Sequence, residues 1–409
     1  MKKLAFFFPA NGPGGVQSII IRLIKYAFEK RLPFIVLDYK DGYVASQIER
    51  ISIDAFREHV IIVKSLSECH FMSDYTFVAF NWQLNFAYLF QTKYKSNFIY
   101  WDVHSTSLKH LLDISVFGRC LLSLSTENLI CSLASESRIL TIDLVSKKLL
   151  QRISFSDDII VTGIPITSPK SNFIFSSPVT ENVLNVVYIG RAVDWKVIPF
   201  LYGLSKVIDQ YSSYKIKCNV YTDCKEEFVK LLPIFYLDLN CVLSFFDGFS
   251  MDEIIKKEDG LVNLSIGMGT SQFELMIFGV PTLLIPAIVD DKRLSEFEPI
   301  WTHLLPPYVY GFDESTSSIF TEIELPKNIS LNDAGFLWKP QQLEIVKEKS
   351  LNVLDLYSSE NICNILLSRA DDANSAPSKA WRFFSFKLFI FWSSVVHLLK
   401  RIFIRNKSN

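Results

Sequence analysis

Residues 261–285 read LVNLSIGMGTSQFELMIFGVPTLLI and contain a complete strand–turn–helix–strand pattern. The pattern consists of a short apolar run, a turn with two glycines, a helical segment and a second short apolar run (Leu261–Leu264, Gly267–Gly269, Ser271–Phe278 and Pro281–Ile285). Short apolar runs bounded by turn residues predict buried strands, and the segment between them is long enough for a crossover connection. This stretch therefore predicts two parallel strands of an α/β sheet.

The same alternation precedes this stretch. Strands and helices alternate from residue 183 onward (Val183–Ile189, Val197–Ile208, Ile216–Tyr221 and Glu226–Leu232). Alternating strands and helices predict a doubly wound parallel sheet, which we place in a domain of residues 182–350. Two further helical patterns follow, at residues 339–349 and 359–369, and we expect residues 351–374 to form closing helices.

The first 167 residues repeat this architecture. Leu4–Phe8 predicts a strand, residues 11–15 a turn, and Val16–Lys30 a helix. Further strands are predicted along this part of the chain (Phe34–Leu37, Val60–Val63, Phe77–Phe80, Asn97–Tyr100, Asn128–Cys131 and Asp158–Thr162). Residues 168–181 are rich in Ser, Pro and Thr without periodicity, so they predict a linker between two doubly wound domains.

Length and charge narrow the class of protein. A chain of 409 residues is long enough for two cores, and 42 basic residues nearly balance 43 acidic ones. Residues 375–409 hold seven basic residues and no acidic ones, which leaves 35 basic against 43 acidic residues, a formal charge of −8, on the rest. An acidic body with a basic tail argues against nucleic-acid binding. The seven cysteines form no C-x-x-C pair, which favours a reducing compartment.

The basic tail has an amphipathic pattern. On a helical wheel one side is apolar and the other carries only cationic and uncharged polar residues (Phe384, Leu388, Phe391, Trp392, Val395, Leu399 and Ile402 against Lys387, Ser394, His397, Arg401 and Arg405). The uncharged stretch Leu388–Leu399 is too short to span a bilayer. We expect residues 379–405 to lie on an anionic membrane surface. The alternative is a core or oligomerisation helix that packs on the body.

The N-terminus argues against secretion. The apolar run Leu4–Phe8 is very short and stops at Pro9, with no small-residue cleavage site close behind it. Together with the tail, this predicts a cytoplasmic protein attached peripherally to the inner face of the plasma membrane.

Three stretches carry candidate chemistry. The first is the glycine turn after the first strand, where Gly14 and Gly15 precede a helix. Glycine permits a close approach of the backbone, and the free N–H groups at a helix N-terminus attract anions. The stretch is not a dinucleotide fingerprint, because Gln17 stands at the last glycine position. A tight strand–helix turn without a ligand is the structural alternative.

The second stretch is Gly190–Lys196, which follows the first strand of the second domain. Arg191 and Lys196 there are expected at the carboxyl edge of the sheet, where doubly wound folds bind ligands. A guanidinium and an ammonium suit a diphosphate. Without a second motif, two solvated loop cations would be the better interpretation of this pair.

The third stretch is the glycine turn of the opening pattern. Gly267, Gly269 and Thr270 precede a helix with Glu274 about one turn inside it. A helix N-terminus near phosphates and a carboxylate near ribose hydroxyls would form a nucleotide site. Glu274 stands among apolar residues, where an unpaired carboxylate is costly.

These motifs resemble those of glycosyltransferase family 4, whose members have the GT-B fold of two Rossmann-like domains facing each other across a cleft. G-R-x-x-x-x-K at 190–196 resembles that family's diphosphate-binding element, and residues 267–281 resemble its glycine turn, nucleotide-binding Glu and helix-to-strand closure. Gly14-Gly15 and residues 161–165 also match. The likeness spans roughly residues 4–365, and the tail lies outside it.

The resemblance implies a glycosyltransferase that binds a nucleotide sugar mainly through the second domain and a glycan or glycolipid acceptor mainly through the first. Arg191 and Lys196, with Gly14 and Gly15, would bind the donor diphosphate. Glu274 would hold the ribose, and Gly267, Gly269 and Thr270 would face the phosphates or sugar. The family usually retains anomeric configuration and needs no cofactor or metal. Consistently, the sequence contains no D-x-D metal-binding motif.

The resemblance also singles out His104, which follows a predicted strand and matches the family's histidine near the reacting centre. We interpret it as catalytic, with a structural histidine as the alternative. Asp102 would either orient His104 or be an ordinary loop acid.

Two positions depart from the family pattern. Ile266 stands where the family has the first of two glutamates, the one associated with the donor sugar, and Val197 replaces a common glycine. The leading hypothesis is transfer of a sugar onto a lipid-linked or cell-surface polysaccharide or lipopolysaccharide precursor. The alternatives are a nucleotide-sugar-processing enzyme that is not a transferase, such as an epimerase or hydrolase, and a non-catalytic scaffold or subunit.

Overall fold

The computed structural model describes most of the chain (residues 3–12, 14–64, 68, 73–80, 83–84, 96–103, 124–166, 182–232, 241–248, 251–258, 260–313, 316–326, 331 and 340–372). The described residues form two compact units. Unit 1 comprises those of Met1–Ile142 and Ser146–Val161 and those from Cys363 onward; unit 2 comprises Asp143–Val145 and those of Thr162–Ile362. The predicted linker 168–181 and tail 375–409 lie outside the described residues.

Unit 1 contains a seven-stranded sheet in the order β3-β2-β1-β4-β5-β6-β7 whose strands all pair in parallel. The strands are short and apolar (β1 Lys3–Phe7, β2 Phe34–Asp38, β3 Val60–Ile62, β4 Tyr75–Phe80, β5 Asn97–Asp102, β6 Ile139–Thr141 and β7 Ile160–Val161). Five helices connect the described strands (α1 Gly15–Lys30, α2 Tyr43–Ile51, α3 Ile53–His59, α4 Leu124–Ser135 and α5 Leu144–Ser154).

Both faces of this sheet are buried, as parallel sheets require. On one face Phe6 packs against the rings of Phe34 and Phe80. On the other, Phe77 and Tyr100 belong to a core that includes residues of α4 and α5. Alternate residues of each strand therefore build two apolar layers, which explains why the strands read as continuous apolar runs.

Unit 2 contains a six-stranded sheet in the order β10-β9-β8-β11-β12-β13, parallel except for β13. Its strands lie in the second half of the chain (β8 Val183–Ile189, β9 Lys215–Thr222, β10 Cys241–Asp247, β11 Leu264–Gly267, β12 Thr282–Leu284 and β13 Ile300–Trp301). Its helices alternate with them and then close the described chain (α6 Asp194–Gln210, α7 Lys225–Lys230, α8 Met251–Glu258, α9 Ser271–Met276, α10 Asp291–Leu294, a 3-10 turn Thr302–Leu304, α11 Ser317–Phe320, α12 Pro340–Leu356 and α13 Ser359–Asp372).

Two doubly wound α/β sheets were expected and are present, but the element bounds differ in places. The predicted strand Asn128–Cys131 is wrong: it lies within α4, because Ile130, Leu133 and Ala134 are buried at helical spacing. The strand predicted at Leu261 begins three residues later. The Leu261 N–H donates to the Glu258 carbonyl in a turn that follows α8, so β11 starts at Leu264.

The two compact units divide between Val161 and Thr162, and the predicted domain limits stay a prediction. Residues from Thr162 pack with unit 2 rather than with the strands that precede them. The Ile166 N–H donates to the Tyr357 carbonyl at 2.9 Å, which ties this segment to the end of α12. α13 begins in unit 2, and its residues from Cys363 onward count with unit 1.

Candidate functional site

The strand order of unit 2 places its motif residues at one edge of the sheet. β8 lies between β9 and β11. The chain adds β9 and β10 on one side of β8 and then returns to add β11 and β12 on the other side, so the strand order reverses at β8. Tyr188 of β8 pairs in parallel with Ile266 of β11, and therefore the carboxyl ends of both strands meet at the same edge. Such a switch point is where open α/β sheets bind ligands. The predicted residues of 190–196 and 267–274 both follow strands that end there.

Two cations, Arg191 in the loop after β8 and Lys196 in the first turn of α6, lie near one aromatic ring. The Arg191 guanidinium lies 5.7 Å and the Lys196 ammonium 5.3 Å from the centre of the Trp195 ring. Cations over an indole ring are stabilised by its electron-rich face. α6 begins at Asp194, so both cations also lie near the N-terminal end of a 17-residue helix. This loop concentrates positive charge at the switch point, as a diphosphate site requires.

Lys196 is half-buried, and its burial disfavours the charged form of its ammonium group. Burial, and then repulsion by Arg191, lower the pKa of Lys196 from 10.5 to about 8, while Asp223 acts in the opposite direction. An anion bound between the two cations would relieve this repulsion and favour the protonated lysine.

Asp223, which the sequence analysis did not single out, joins this cluster. It follows β9, the neighbour of β8, and its Oδ1 accepts the Ala192 N–H at 2.7 Å. No motif marks this aspartate. The pairing of β9 beside β8 brings it to the loop, and the signal in the sequence is an acid two residues after the predicted strand Ile216–Tyr221.

The turn after β11 depends on its glycines. A Cβ at Gly267 would lie 2.7 Å from the Gln272 Cα and 2.8 Å from its backbone nitrogen, so no side chain fits there. Gly269 adopts φ +56°, a left-handed conformation that favours glycine. Ser271 closes the turn: its hydroxyl donates to the Met268 carbonyl at 2.8 Å. The turn thus brings the start of α9 close against the end of β11.

Glu274 lies in α9, half-buried between buried neighbours. Phe273 packs edge-on against Tyr310 at 5.0 Å and Tyr357 at 5.4 Å. Gln272 is fully buried and donates to the Tyr310 carbonyl at 3.0 Å. These contacts fix the helix that carries Glu274. Its apolar setting agrees with the sequence pattern, and its predicted role toward ribose stays a prediction.

Ile266 is part of the core of unit 2. It is 2% exposed and packs with residues of β8, β12 and α6. Its Cγ2 would lie 3.3 Å from a Cβ at Gly203 of α6. The side chain at this position therefore points into an apolar layer, and the chain has no carboxylate where the family pattern places its first glutamate.

The predicted residues Gly14, Gly15 and Asp102 lie in unit 1, and their local surroundings differ from one another. Gly14 precedes α1 in an extended conformation, and Gly15 begins the helix with open space around it. Asp102 is the last residue of β5, not a loop acid, and it is fully buried, with its Oδ1 accepting the Tyr100 hydroxyl at 3.3 Å. His104 lies outside the described residues, so its catalytic role stays a prediction.

Within the part of the chain that the structure describes, no helix has the length and apolar character needed to cross a membrane. Within the same residues, no cluster of three or more His, Cys, Asp or Glu side chains is placed to hold a metal ion. The expectation of a metal-independent reaction stays a prediction.

Comparison with solved structures identifies the fold. The lipopolysaccharide outer core galactosyltransferase WaaB, in its apo form, is similar with a TM-score of 0.55 and 14% identity, over 90% of this chain and 99% of that chain. HepE from Anabaena, in complex with UDP and glucose, gives 0.53 and 14%, over 91% and 100%. An S. aureus TarM mutant, in complex with fondaparinux, alpha-GlcNAc-glycerol and UDP, gives 0.51 and 13%, over 92% and 100%.

The chain has the GT-B fold that these structures share. No protein-family model matches the sequence, and no curated protein matches it. The narrower resemblance to glycosyltransferase family 4 therefore stays a prediction.

Proposed function

We propose that this protein is a glycosyltransferase that moves a sugar from a nucleotide-sugar donor onto a glycan or glycolipid acceptor. The observation that carries the proposal is the cation pair Arg191 and Lys196 at the switch point of unit 2, beside the glycine turn that leads to Glu274. A diphosphate is the leaving group of such a donor, and it needs the charge that this loop supplies. The shared GT-B fold supports the same assignment.

Sugar transfer breaks the bond between the anomeric carbon and the diphosphate oxygen, and the electron pair stays with that oxygen. A bond forms between the anomeric carbon and an acceptor hydroxyl oxygen, whose proton passes to the leaving phosphate. Arg191 and Lys196 stabilise the charge that develops there, and the N-terminus of α6 adds to this effect. In the proposal Glu274 accepts hydrogen bonds from the ribose hydroxyls, and the backbone of Gly267–Thr270 lies against the phosphates or the donor sugar. Gly14 and Gly15 contribute backbone N–H groups to the diphosphate, and His104 contacts the reacting sugar.

The acceptor is a lipid-linked or cell-surface polysaccharide or lipopolysaccharide precursor. The basic amphipathic pattern of residues 379–405 supports this acceptor class, because it would hold the protein at the inner membrane surface where such precursors are assembled. WaaB, whose name gives an outer-core lipopolysaccharide acceptor, agrees with it. We further propose that the reaction retains anomeric configuration without a metal, with the leaving phosphate assisting deprotonation of the acceptor.

Ile266 favours a second candidate, a non-catalytic GT-B protein. The family's first glutamate is associated with the donor sugar, and here an apolar side chain occupies that position within the core. In this candidate the cation pair is retained only as structure, so Arg191→Ala and Glu274→Ala would leave the cellular role unchanged.

Thermal stabilisation by nucleotides tests the donor site. The purified protein is melted with UDP, GDP, ADP and CDP and with glucose conjugates of each. A ligand at about 100 times its Kd adds about 2.7 kcal/mol of stability. We expect one base to stabilise the protein and Glu274→Ala to abolish the shift. Glu296→Ala is the control, because Glu296 is an exposed acid in the loop after α10.

Product analysis then separates transfer from the other reactions. The stabilising nucleotide sugar is incubated with membranes that carry glycan precursors and, separately, alone. Acceptor-dependent release of the nucleoside diphosphate supports transfer, and acceptor-independent turnover points to a hydrolase or epimerase. A folded protein that no nucleotide stabilises would contradict the proposal and favour the non-catalytic candidate.

A further inference from the structure

Asp223 is anchored to the loop that carries the two cations. Its Oδ1 accepts the Ala192 N–H at 2.7 Å and the Thr222 hydroxyl at 3.3 Å. Ala192 is the residue next to Arg191, so the bond to its N–H fixes the backbone from which the guanidinium extends. The loop has its own internal support as well, since the Val193 N–H donates to the Arg191 carbonyl at 3.0 Å.

The charge of Asp223 also reaches Lys196. Two charged groups act on Lys196 of α6: Arg191, in the loop before that helix, and Asp223, after β9. The Tyr188 hydroxyl donates to the Lys196 carbonyl at 3.4 Å, and burial followed by the charge of Asp223 raises the pKa of Tyr188. Asp194, at the start of α6, turns its carboxylate to the Trp195 N–H at 2.7 Å. In this set Asp223 opposes the repulsion that Arg191 exerts on Lys196.

We propose that Asp223 is a positioning residue of the donor site: its Oδ1 accepts the Ala192 N–H and so fixes the backbone that carries Arg191, and its carboxylate adds a negative charge beside the two cations. This inference rests on the proposed function. Asp223 acts through Arg191 and Lys196 and does not itself bind an anion, which it would repel. A loop acid that only closes the turn after β9 would leave the charge of Lys196 unchanged.

Two substitutions separate the hydrogen bond from the charge. Asp223→Asn keeps an Oδ1 acceptor for Ala192 and removes the charge, whereas Asp223→Ala removes both. Affinity for UDP-glucose, ADP-glucose and GDP-mannose is measured by calorimetry between about pH 6.5 and about pH 9.5, a range that brackets the titration of Lys196. The diphosphate of these conjugates keeps its charge over that range, but uracil and guanine begin to lose a ring N–H proton toward its upper end. Variants are therefore compared with the same conjugate at each pH.

The sign of the pH effect follows from Lys196. Its pKa of about 8 means that wild-type affinity falls as the pH rises through that value. Asp223→Asn removes an interaction that raises this pKa, so its affinity falls at a lower pH. Because Asp223 also repels the anionic donor, Asp223→Asn should bind at least as tightly as wild type near pH 6.5. Its affinity relative to wild type should then fall about threefold toward pH 8, since a solvent-screened charge pair is worth less than about 1 kcal/mol. Asp223→Ala should show the same pH-dependent fall and, because the loop bond is also lost, should bind about fivefold more weakly than Asp223→Asn at every pH.

Lys196→Arg supplies the matched control. Arginine stays charged over the whole range, so its affinity should not depend on pH, and adding Asp223→Asn to it should produce no pH-dependent loss. If wild type binds none of the three conjugates, the proposed function itself is contradicted. If wild type binds and Asp223→Asn follows its curve at every pH, the inference is overturned while the donor site stands.

Discussion

Asp38 of unit 1 and Asp223 of unit 2 stand at the end of the second strand of their sheets, yet their carboxylates have opposite roles. Asp38 is 1% exposed and accepts the N–H groups of Tyr39 at 2.8 Å and Ala45 at 3.0 Å, which caps α2. Asp223 is exposed and contacts the loop that carries Arg191 and Lys196. An aspartate at the end of the second strand therefore stabilises a helix start in unit 1, whereas in unit 2 it contacts a positively charged loop.

The two switch points show the same contrast. In unit 1 the space between the ends of β1 and β4 is occupied by the fully buried Gln83, which donates to the Phe7 carbonyl and accepts the Phe80 N–H. In unit 2 the corresponding edge, between β8 and β11, carries two cations and a glycine turn. Chemistry thus depends on the loops rather than on the sheet. Four substitutions or conditions test this contrast.

The largest expected effect separates two glycines. Gly267→Ala would place a Cβ against the backbone of Gln272, whereas Gly15→Ala meets nothing within 4 Å at the start of α1. We expect Gly267→Ala to lower the free energy of unfolding by about 3 kcal/mol, because a backbone contact cannot yield as a side chain can. Gly15→Ala should raise it by about 0.5 kcal/mol. Urea unfolding measures both, and equal effects would contradict the close approach at Gly267.

The stability of unit 2 should depend on pH through His303. Burial, with a smaller effect of Lys349, lowers the pKa of His303 from 6.5 to about 4. The unfolded state binds a proton at this histidine more readily than the folded state does. The free energy of unfolding is therefore undiminished above about pH 6.5 and falls as the pH falls toward 4. The loss should reach about 3 kcal/mol. Hydrogen exchange should show unit 2 opening first on acidification, and His303→Gln should remove that preference. An unchanged acid response in this variant would contradict the assignment.

Arg191→Ala tests the cation pair directly. We expect it to weaken binding of the stabilising nucleotide sugar by about 2 kcal/mol, or about thirtyfold, because a charge-assisted contact to the diphosphate is lost. The fold should be unaffected, since Arg191 is exposed. Lys206→Ala is the control: Lys206 is on the same α6 but pairs with Glu298 at 3.7 Å, away from the loop. Similar losses in both variants would indicate a general charge effect instead.

Asp38→Ala carries the smallest effect. Loss of the α2 cap should cost about 1 kcal/mol of stability without changing nucleotide affinity. Burial raises the pKa of Asp38, so ionising this carboxyl lowers the stability of the wild type as the pH rises through that pKa. The variant lacks this cost, and its stability deficit relative to wild type should therefore become smaller over the same pH range. A loss of nucleotide binding with intact folding would contradict the structural role assigned to Asp38.

The sequence predicted the architecture well because its signals are local. Continuous apolar runs identified strands such as Val183–Ile189, whose bounds the structure matches. Bounds failed where tertiary contacts decide, as for Asn128–Cys131 in α4. They also failed at α9, which ends at Met276 because Gly279 adopts φ +79° and closes the helix.

The motif residues of unit 2 follow β8 and β11 as expected, His104 lies outside the described residues, and Asp223, which has no motif, was missed. Arg191 and Lys196 follow β8 because a strand–helix connection is short and local. Asp223 has no motif, and its role depends on β9 pairing beside β8, which the sequence does not specify. The inward direction of Ile266 likewise depends on the packing of β11 against α6.

The central claim is that the cations of unit 2 bind the diphosphate of a nucleotide sugar. Calorimetric titration of UDP-glucose, ADP-glucose and GDP-mannose into wild type and into the Arg191→Ala/Lys196→Ala double variant tests it most directly. We predict that wild type binds one conjugate and that the folded double variant binds it at least about 100-fold more weakly. Equal affinity in the two proteins, or no binding by wild type, would contradict the claim.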